Sequence, residues 1–296
     1  MQDVALARQR AAWRDYLELT KPRVVGLMLL CAAVGMVLAS PSLAQLATMA
    51  FALAGIALVA GSAAAVNHLA EARIDARMAR TRNRPVVQGR VTHASGVAFC
   101  AITGIAGMLV LYLLVNPLTA WLNLASWVGY GLFYTFYLKR ATPQNTVIGG
   151  LFGALPPLFG WTAITNTVEL EALLLVLIIF VWTPPHFWAL ALDRKEEYAA
   201  ADIPVLPVTH GEQVTRRHIL AYTVLLVAAS VLPYVTGMSR MPYLVGALAL
   251  GGVFIYWAVA LLIGTRVDAP KRAFRYSIVY LAALFGLLVA DHYLVA

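Results

Sequence analysis

Long apolar segments constrain the fold of this chain more than any other feature of its sequence. A helix needs about 20 apolar residues to cross the hydrocarbon core of a bilayer, and it satisfies its own backbone polar groups there. The sequence therefore predicts an all-α polytopic membrane protein with nine transmembrane helices around a central cavity. The nine segments lie near 24–40, 44–67, 95–114, 118–138, 146–164, 171–192, 218–236, 242–264 and 274–295.

Composition excludes a soluble globular protein, because 61% of the residues are hydrophobic and only 12% are charged. The net charge of +8 resides in short loops, so it reports membrane topology and does not indicate a nucleic-acid partner. Of the 22 Lys and Arg residues, only Arg240 falls on the opposite side of the drawn topology. We therefore expect a cytoplasmic N-terminus and long loops, with Ala296 on the periplasmic side of a bacterial inner membrane.

The chain is expected to contain one domain. Residues 1–23 are charged and lack the apolar centre of a secretory signal, which predicts a retained cytoplasmic arm. Residues 24–296 then form a single nine-helix domain.

Polar chemistry concentrates directly after the second apolar segment. If the helix continues, Asn67, Glu71 and Asp75 are spaced four residues apart and share one face near its end. Oxygen ligands in a row suit Mg²⁺, which usually completes its coordination shell with water and substrate phosphate. The spacing therefore predicts a magnesium site.

Basic residues surround this face in the sequence. Arg77, Arg80, Arg82 and Arg84 follow it, and Lys139 and Arg140 end the fourth apolar segment. Arginine binds phosphate oxygens in a bidentate manner, so acids followed by arginines indicate a diphosphate site. The alternative is that these charges form ion pairs on a solvated helix end and mark a cytoplasmic loop.

A second acid-bearing helix end follows the sixth apolar segment. Asp193 and Glu197 are four residues apart there, which would again put them on one helix face. Segments two and six lie four helices apart, which indicates a weak internal repeat. Two facing acid clusters would hold two Mg²⁺ ions on one diphosphate.

Isolated residues inside the apolar segments carry weaker signals. His186 follows two prolines and either contacts substrate or hydrogen-bonds a kinked backbone. Tyr134 and Tyr137 either face the site or belong to an aromatic belt. Cys31 and Cys100 lack metal or redox spacing and are interpreted as small core residues.

A diphosphate site at the mouth of an apolar cavity points to a substrate with a lipid tail. Binding of the diphosphate by Mg²⁺ and arginines would stabilise pyrophosphate as a leaving group. The predicted reaction is prenyl transfer, and the spacing does not name the acceptor.

The chain resembles the intramembrane UbiA-type prenyltransferases over roughly residues 16–295, and within them the branch that farnesylates protohaem IX. The motifs that carry this resemblance are Leu19-Thr-Lys21-Pro-Arg23, the stretch from Asn67 to Pro85, Tyr137-Leu-Lys139-Arg140 with Asn145, Trp182-Thr-Pro-Pro-His186-Phe-Trp and Ile203-Pro-Val-Leu-Pro-Val. Where many members carry Asp, this chain has Glu71 and Arg73.

The resemblance implies farnesyl diphosphate and haem B as substrates and haem O and pyrophosphate as products, with Mg²⁺ as the cofactor. The residue roles it implies are a first metal cluster of Asn67, Glu71 and Asp75, a second of Asp193 and Glu197, and diphosphate binding by Arg80, Arg84, Lys139 and Arg140. Asn67, Glu71, Asp75, Glu197 and Lys139 are the expected catalytic residues. Candidates for haem contact are His186, Arg23, Lys21 and Arg73.

Two other functions remain open at this stage. One is a prenyltransferase of the same fold that acts on an aromatic quinone precursor, and the other is a haem or lipid transporter without catalysis. The sequence also leaves open whether a haem A synthase or an oxidase assembly protein docks on the chain.

Overall fold

The computed structural model of the chain describes residues 11–40, 45–76, 81–264 and 266–294, and for Arg140 it describes the backbone alone. These residues form helices and connecting turns, with no strand among them. The helices are α1 (Trp13–Leu19), α2 (Pro22–Ala39), α3 (Leu46–Asp75), α4 (His93–Leu114), α5 (Pro117–Trp127), a π-helical segment (Val128–Leu138), α6 (Lys139–Ala141), α7 (Asn145–Ala154), α8 (Pro156–Thr165), α9 (Leu170–Asp193), α10 (Lys195–Ala200), α11 (Leu206–Thr209), α12 (Glu212–Val235), α13 (Met241–Ile263) and α14 (Ala269–Leu294).

Within the described ranges, eight helical stretches are long and apolar enough to cross a membrane, one fewer than the sequence predicts. The difference lies in the predicted fourth segment, 118–138. That segment is helical throughout, but α5 ends at Trp127 and a π-helix of 11 residues continues from it. Because the hydrogen bonds change from i→i+4 to i→i+5 at this junction, neither part alone has the length of a span. The chain is an integral membrane protein of helices packed around a central cavity.

Close helix contacts depend on glycine where α2 crosses α8. A Cβ atom on Gly160 would lie 1.9 Å from the carbonyl oxygen of Ala32, and one on Gly35 would lie 2.2 Å from that of Pro157. Small residues allow helix backbones to approach closely inside a membrane. Pro156, at the first turn of α8, begins this helix after the break at Leu155.

The predicted core role of the two cysteines is confirmed. Cys31 and Cys100 are both free and buried, at 7% and 5% exposure. Cys31 packs in a large apolar cluster of α2, α8, α9 and α12–α14, which includes Trp182 and Tyr280. Cys100 packs against α3 with Leu69.

The described part of the N-terminal arm packs on the helices. Leu19 is fully buried against Ala65 and Leu69 of α3. Asp15 accepts a hydrogen bond of 2.9 Å from Nε of Arg90, and this bond lowers the pKa of Asp15. The end of α1 therefore brings Lys21 to the end of α3.

Candidate active site

A polar cavity of about 170 Å³ lies where α3 ends. Lys21, the π-helical segment, α7, α9 and α10 also contribute to its wall. Its lining residues are Lys21, Asn67, Glu71, Ile74, Asp75, Arg84, Tyr130, Tyr134, Lys139, Asn145, Phe187, Tyr198, Ile203 and Val205.

The three predicted oxygen ligands line this cavity from one face of α3. Asn67, Glu71 and Asp75 are all buried, with at most 6% exposure. The amide of Asn67 donates a hydrogen bond of 2.7 Å to Oε1 of Glu71. The prediction of this face assumed that the helix of the second apolar segment continues through these residues. The structure confirms this, because α3 ends at Asp75.

Each of these oxygen ligands contacts its own cation. Nζ of Lys21 donates to Oδ1 of Asn67. The other two contacts are ion pairs of 2.5 Å, from Lys139 to Glu71 and from Arg84 to Asp75. Two carboxylates against three cations leave the described wall of the cavity with a positive charge, which favours an anion such as diphosphate.

The donor set fits Mg²⁺. Two carboxylates and one amide oxygen are hard ligands, and each carboxylate contacts its cation through only one of its two oxygens. Among the described residues, no group of three or more His, Cys, Asp and Glu side chains could hold a metal ion by itself. Oxygens from a substrate diphosphate would therefore have to complete a coordination shell here.

Lys21, which lines the cavity, adopts an unusual backbone conformation. Its φ of 52° lies in the left-handed region, directly before Pro22 begins α2. Such strain in a residue other than glycine persists only where surrounding contacts hold it, and it clusters at functional sites. Burial lowers the pKa of Lys21 to about 8.

Two tyrosines of the π-helical segment face the cavity. Tyr130 and Tyr134 stack with their ring centroids 5.3 Å apart and their planes inclined by 10°. Lys139, directly after this segment, also lines the cavity. Tyr137, which the sequence offered beside Tyr134, is 63% exposed and lies away from the cavity.

Sequence reasoning missed Tyr130, Tyr198 and a site role for Asn145. Tyr130 lies one helical turn before Tyr134, and that spacing was the available signal. Tyr198 reaches the cavity from α10, and Asn145, which is buried, donates to the carbonyl oxygen of Lys139. Only the packing of α10 and α7 against α9 shows that these two residues belong to the site.

The predicted second acid cluster differs from the expectation. Asp193 and Glu197 do not share one helix face, because α9 ends at Asp193 and the non-helical Arg194 separates it from α10. Both acids are exposed, and neither lines the polar cavity. That expectation of a shared face is wrong, and the ligand role of both residues stays a prediction.

The predicted phosphate-binding residues divide into three groups. Arg84 and Lys139 line the cavity, whereas Arg82 is exposed. Arg77 and Arg80 lie outside the described residues, and so does the side chain of Arg140. Their roles remain predictions.

The haem candidates lie in different places. Lys21 lines the polar cavity, whereas Arg23 and Arg73 are exposed. His186 lines a separate apolar cavity of about 390 Å³ between α2, α9 and α14. Its Nδ1 atom is 2.6 Å from Oγ of Ser277, and its ring stacks on Trp182 at 4.1 Å.

An apolar cavity of about 250 Å³ adjoins the polar one inside the bundle. Lys21 and Tyr130 line both cavities, so the two meet at these residues. The apolar cavity extends along α3 at least to Ile56, eleven residues before Asn67, or about 16 Å along the helix axis. The site therefore combines a polar, positively charged end with a long apolar compartment.

The fold and this pair of cavities define a class, that of helical membrane proteins with a charged cavity beside an apolar one inside the bundle. Residues 28–286 match the profile of the UbiA prenyltransferase family. The chain belongs to the UbiA prenyltransferase family.

Individual similarities agree with this assignment. A protein of Saccharophagus degradans named protoheme IX farnesyltransferase is 59% identical over 96% of this chain and 94% of its own length. A structure of digeranylgeranylglyceryl phosphate synthase shares the fold, with a TM-score of 0.80 and 18% identity over 94% of this chain and 98% of that one. A UbiA homologue from Archaeoglobus fulgidus, solved with GPP and Mg²⁺, has a TM-score of 0.68 and 16% identity over 93% of this chain and 99% of that one.

Proposed function

We propose that this protein transfers the farnesyl group of farnesyl diphosphate to a vinyl group of haem B, giving haem O and pyrophosphate. The observation that carries the proposal is the polar cavity with three cations and three oxygen-bearing side chains, which adjoins the apolar cavity at Lys21 and Tyr130. The name of the Saccharophagus degradans relative supports the choice of prenyl donor and acceptor.

The residues of the polar cavity would promote departure of pyrophosphate. Lys21, Lys139 and Arg84 supply fixed positive charge where negative charge develops on the leaving group. As the bond between C1 and the bridging oxygen breaks, the stacked rings of Tyr130 and Tyr134 present aromatic faces to the allylic cation. The apolar lining beyond this junction would limit capture of the cation by water.

A Mg²⁺ ion fits the same site. Asn67, Glu71 and Asp75 would hold it, and the ion would neutralise charge on the leaving pyrophosphate. The Archaeoglobus fulgidus homologue, which was solved with GPP and Mg²⁺, supports this part of the proposal. Glu197 and Asp193 are retained as proposed ligands of a second ion.

The acceptor would approach from the side of α2, α9 and α14. The farnesyl tail would occupy the apolar cavity of about 250 Å³. The cavity at His186 shares four lining residues with it, namely Leu27, Cys31, Trp182 and Leu281. An aromatic acceptor at His186 would therefore lie beside the tail. The terminal carbon of the haem vinyl group would bond to C1 of the farnesyl cation. Water would then add to the resulting cation beside the porphyrin ring and lose a proton, which leaves the hydroxyl group of haem O.

The same proposal covers location and binding partners. Because the described basic residues concentrate at the polar-cavity end, we propose that this end faces the cytoplasm of a bacterial cell, in the inner membrane. Docking of a haem A synthase or an oxidase assembly protein stays an open proposal.

The experiment uses purified protein in lipid nanodiscs with Mg²⁺, farnesyl diphosphate and either haem B or 4-hydroxybenzoate. Mass spectrometry of extracted products and release of pyrophosphate are the two measurements. We expect a farnesylated, hydrated haem and one pyrophosphate for each haem consumed.

Two other results of this experiment would each contradict a different part of the proposed function. A prenylated 4-hydroxybenzoate with unchanged haem would replace the acceptor and favour the quinone branch. Unchanged substrates of both kinds, with haem retained by the protein, would favour a transporter.

A further inference from the structure

On the side of α3, α4 and α5, one aromatic residue lies between the apolar cavity that would hold the prenyl tail, here called the tail cavity, and the surface of the bundle. Besides the tail cavity, a groove of about 540 Å³ lies between α3, α4 and α5. Two residues, Val59 and Trp127, line both compartments. The indole of Trp127 is the larger of these two side chains.

The groove faces the lipid. Ile105, Leu109, Tyr112 and Trp121 line it, and each of them is at least 49% exposed. Apolar residues that are exposed on a membrane-spanning helix contact lipid hydrocarbon, and this contact is favourable for them. A passage from the tail cavity into this groove would therefore lead into the membrane.

Hydrogen bonds hold the indole in place. Nε1 of Trp127 donates to Oγ of Ser62 over 3.0 Å, and Oγ of Ser62 donates to the carbonyl oxygen of Cys100 over 2.8 Å. Ser62 is fully buried, so breaking this chain would leave polar atoms without partners in an apolar region. These two hydrogen bonds connect α5 to α3 and α4, and they fix the position of the indole ring.

Val59 and Trp127 lie beside the part of the apolar cavity that is distant from the polar cavity. Val59 precedes Asn67 by eight residues on α3, or about 12 Å along the axis. A tail whose diphosphate occupied the polar cavity would enter the apolar cavity between Lys21 and Tyr130 and would pass Trp127 further along.

We propose that Trp127 closes the tail cavity against the membrane on the side of α3, α4 and α5, and so determines the length of the prenyl chain that this site accepts. This inference rests on the proposed function, because it requires the apolar cavity to hold a prenyl tail. With the indole removed, the tail cavity and the groove would join. A geranylgeranyl tail, one isoprene unit longer than farnesyl, would then extend into the groove and the surrounding lipid.

The experiment compares Trp127→Ala, Trp127→Leu and Trp127→Phe with the wild type. Equal amounts of farnesyl and geranylgeranyl diphosphate compete for haem B, and mass spectrometry gives the product ratio. We expect Trp127→Ala to shift the ratio toward the longer chain by roughly tenfold or more, since tight apolar pockets discriminate methylene groups on that scale. Leucine should give a smaller shift and phenylalanine the least.

A matched control removes an aromatic ring from the groove alone. Trp121 lines the groove but not the tail cavity, so Trp121→Ala should keep the wild-type ratio. An unchanged ratio in Trp127→Ala, or an equal shift in Trp121→Ala, would overturn the proposal. If the alanine variant does not fold, a wild-type ratio in Trp127→Leu overturns it.

A second measurement separates this proposal from the proposed function. Thermal stabilisation of the protein by Mg²⁺ with unreactive thiolodiphosphate analogues of both chain lengths requires no haem. Loss of the preference for the shorter analogue in Trp127→Ala would support the wall even if haem proved to be the wrong acceptor. Retention of that preference would exclude the wall, whichever acceptor is correct.

Discussion

At the scale of single residues, the site is organised by pairing of acids and amides with cations. Asn67, Glu71 and Asp75 are each held by a different basic residue. Leaving one member of a buried charged pair alone is costly, so removal of one residue also disturbs its partner. We expect Mg²⁺ to replace the cations at these oxygens, which frees the cations for diphosphate.

Asp75→Ala should lower haem O formation by roughly a hundredfold or more, the scale of losing one preorganised contact to developing charge. It removes a proposed metal ligand and leaves Arg84 without its 2.5 Å partner. Mass spectrometry of haems from cells that produce each variant, with protein amounts checked by immunoblot, makes the measurement. Asp268→Ala, which removes an exposed acid before α14, is the control and should retain activity. Equal haem O in both variants would contradict the ligand role of Asp75.

Tyr130 should act through its ring and not through its hydroxyl group. Tyr130→Phe keeps the aromatic face and should retain most of the activity. Tyr130→Leu should lower kcat roughly thirtyfold, which corresponds to about 2 kcal/mol of desolvated cation–π stabilisation. Steady-state kinetics of pyrophosphate release test this, and similar losses in the two variants would assign the role to the hydroxyl group.

At the scale of elements, the π-helical segment and the helix breaks decide which side chains meet. The segment from Val128 to Leu138 directs Tyr130, Tyr134 and Lys139 toward α3. The break at Arg194 turns Tyr198 into the cavity and leaves Glu197 outside it. Short irregular elements thus complete a site that begins on the regular helix α3.

The crossing of α2 and α8 should not tolerate a larger residue. Gly160→Ala places a methyl group 1.9 Å from a backbone oxygen of α2, so the helices must separate at a cost of about 1–3 kcal/mol. Thermal unfolding in detergent should show a lower midpoint for this variant. Gly26→Ala, on the same α2 helix and with nothing within 4 Å of its added Cβ, is the matched control. An equal midpoint for both variants would contradict the close packing.

At the scale of the whole molecule, charge separates the two ends of the bundle. The polar cavity lies at the end where Lys21, Arg84, Arg90 and Lys139 concentrate, whereas Arg240 lies in the link between α12 and α13. A positively charged end stays in the cytoplasm during insertion. The diphosphate site would then face the compartment from which a charged substrate arrives.

Reporter fusions test this orientation. A phosphatase that is active only outside the cytoplasm should be inactive when inserted at Gly89, between α3 and α4, and active when inserted at Gly237, between α12 and α13. The opposite pattern would reverse the proposed orientation. A cytoplasmic fluorescent reporter at the same positions should give the complementary result.

The sequence by itself determined the helical membrane fold and the α3 face, because both depend on local periodicity. Apolar length predicts spans, and a four-residue spacing puts Asn67, Glu71 and Asp75 on one face whatever surrounds the helix. The same four-residue spacing gave a wrong prediction for Asp193 and Glu197. The helix is interrupted at Arg194, so the two acids lie on different helices and do not share a face.

Only the tertiary structure decided the partners of that face. Lys21 reaches Asn67 across 46 positions of sequence, and Lys139 reaches Glu71 across 68. The position of Trp127 between two compartments is likewise a property of how α3, α4 and α5 pack. Local spacing fixes the direction of a side chain on its own helix, whereas contacts between helices depend on packing across the whole bundle.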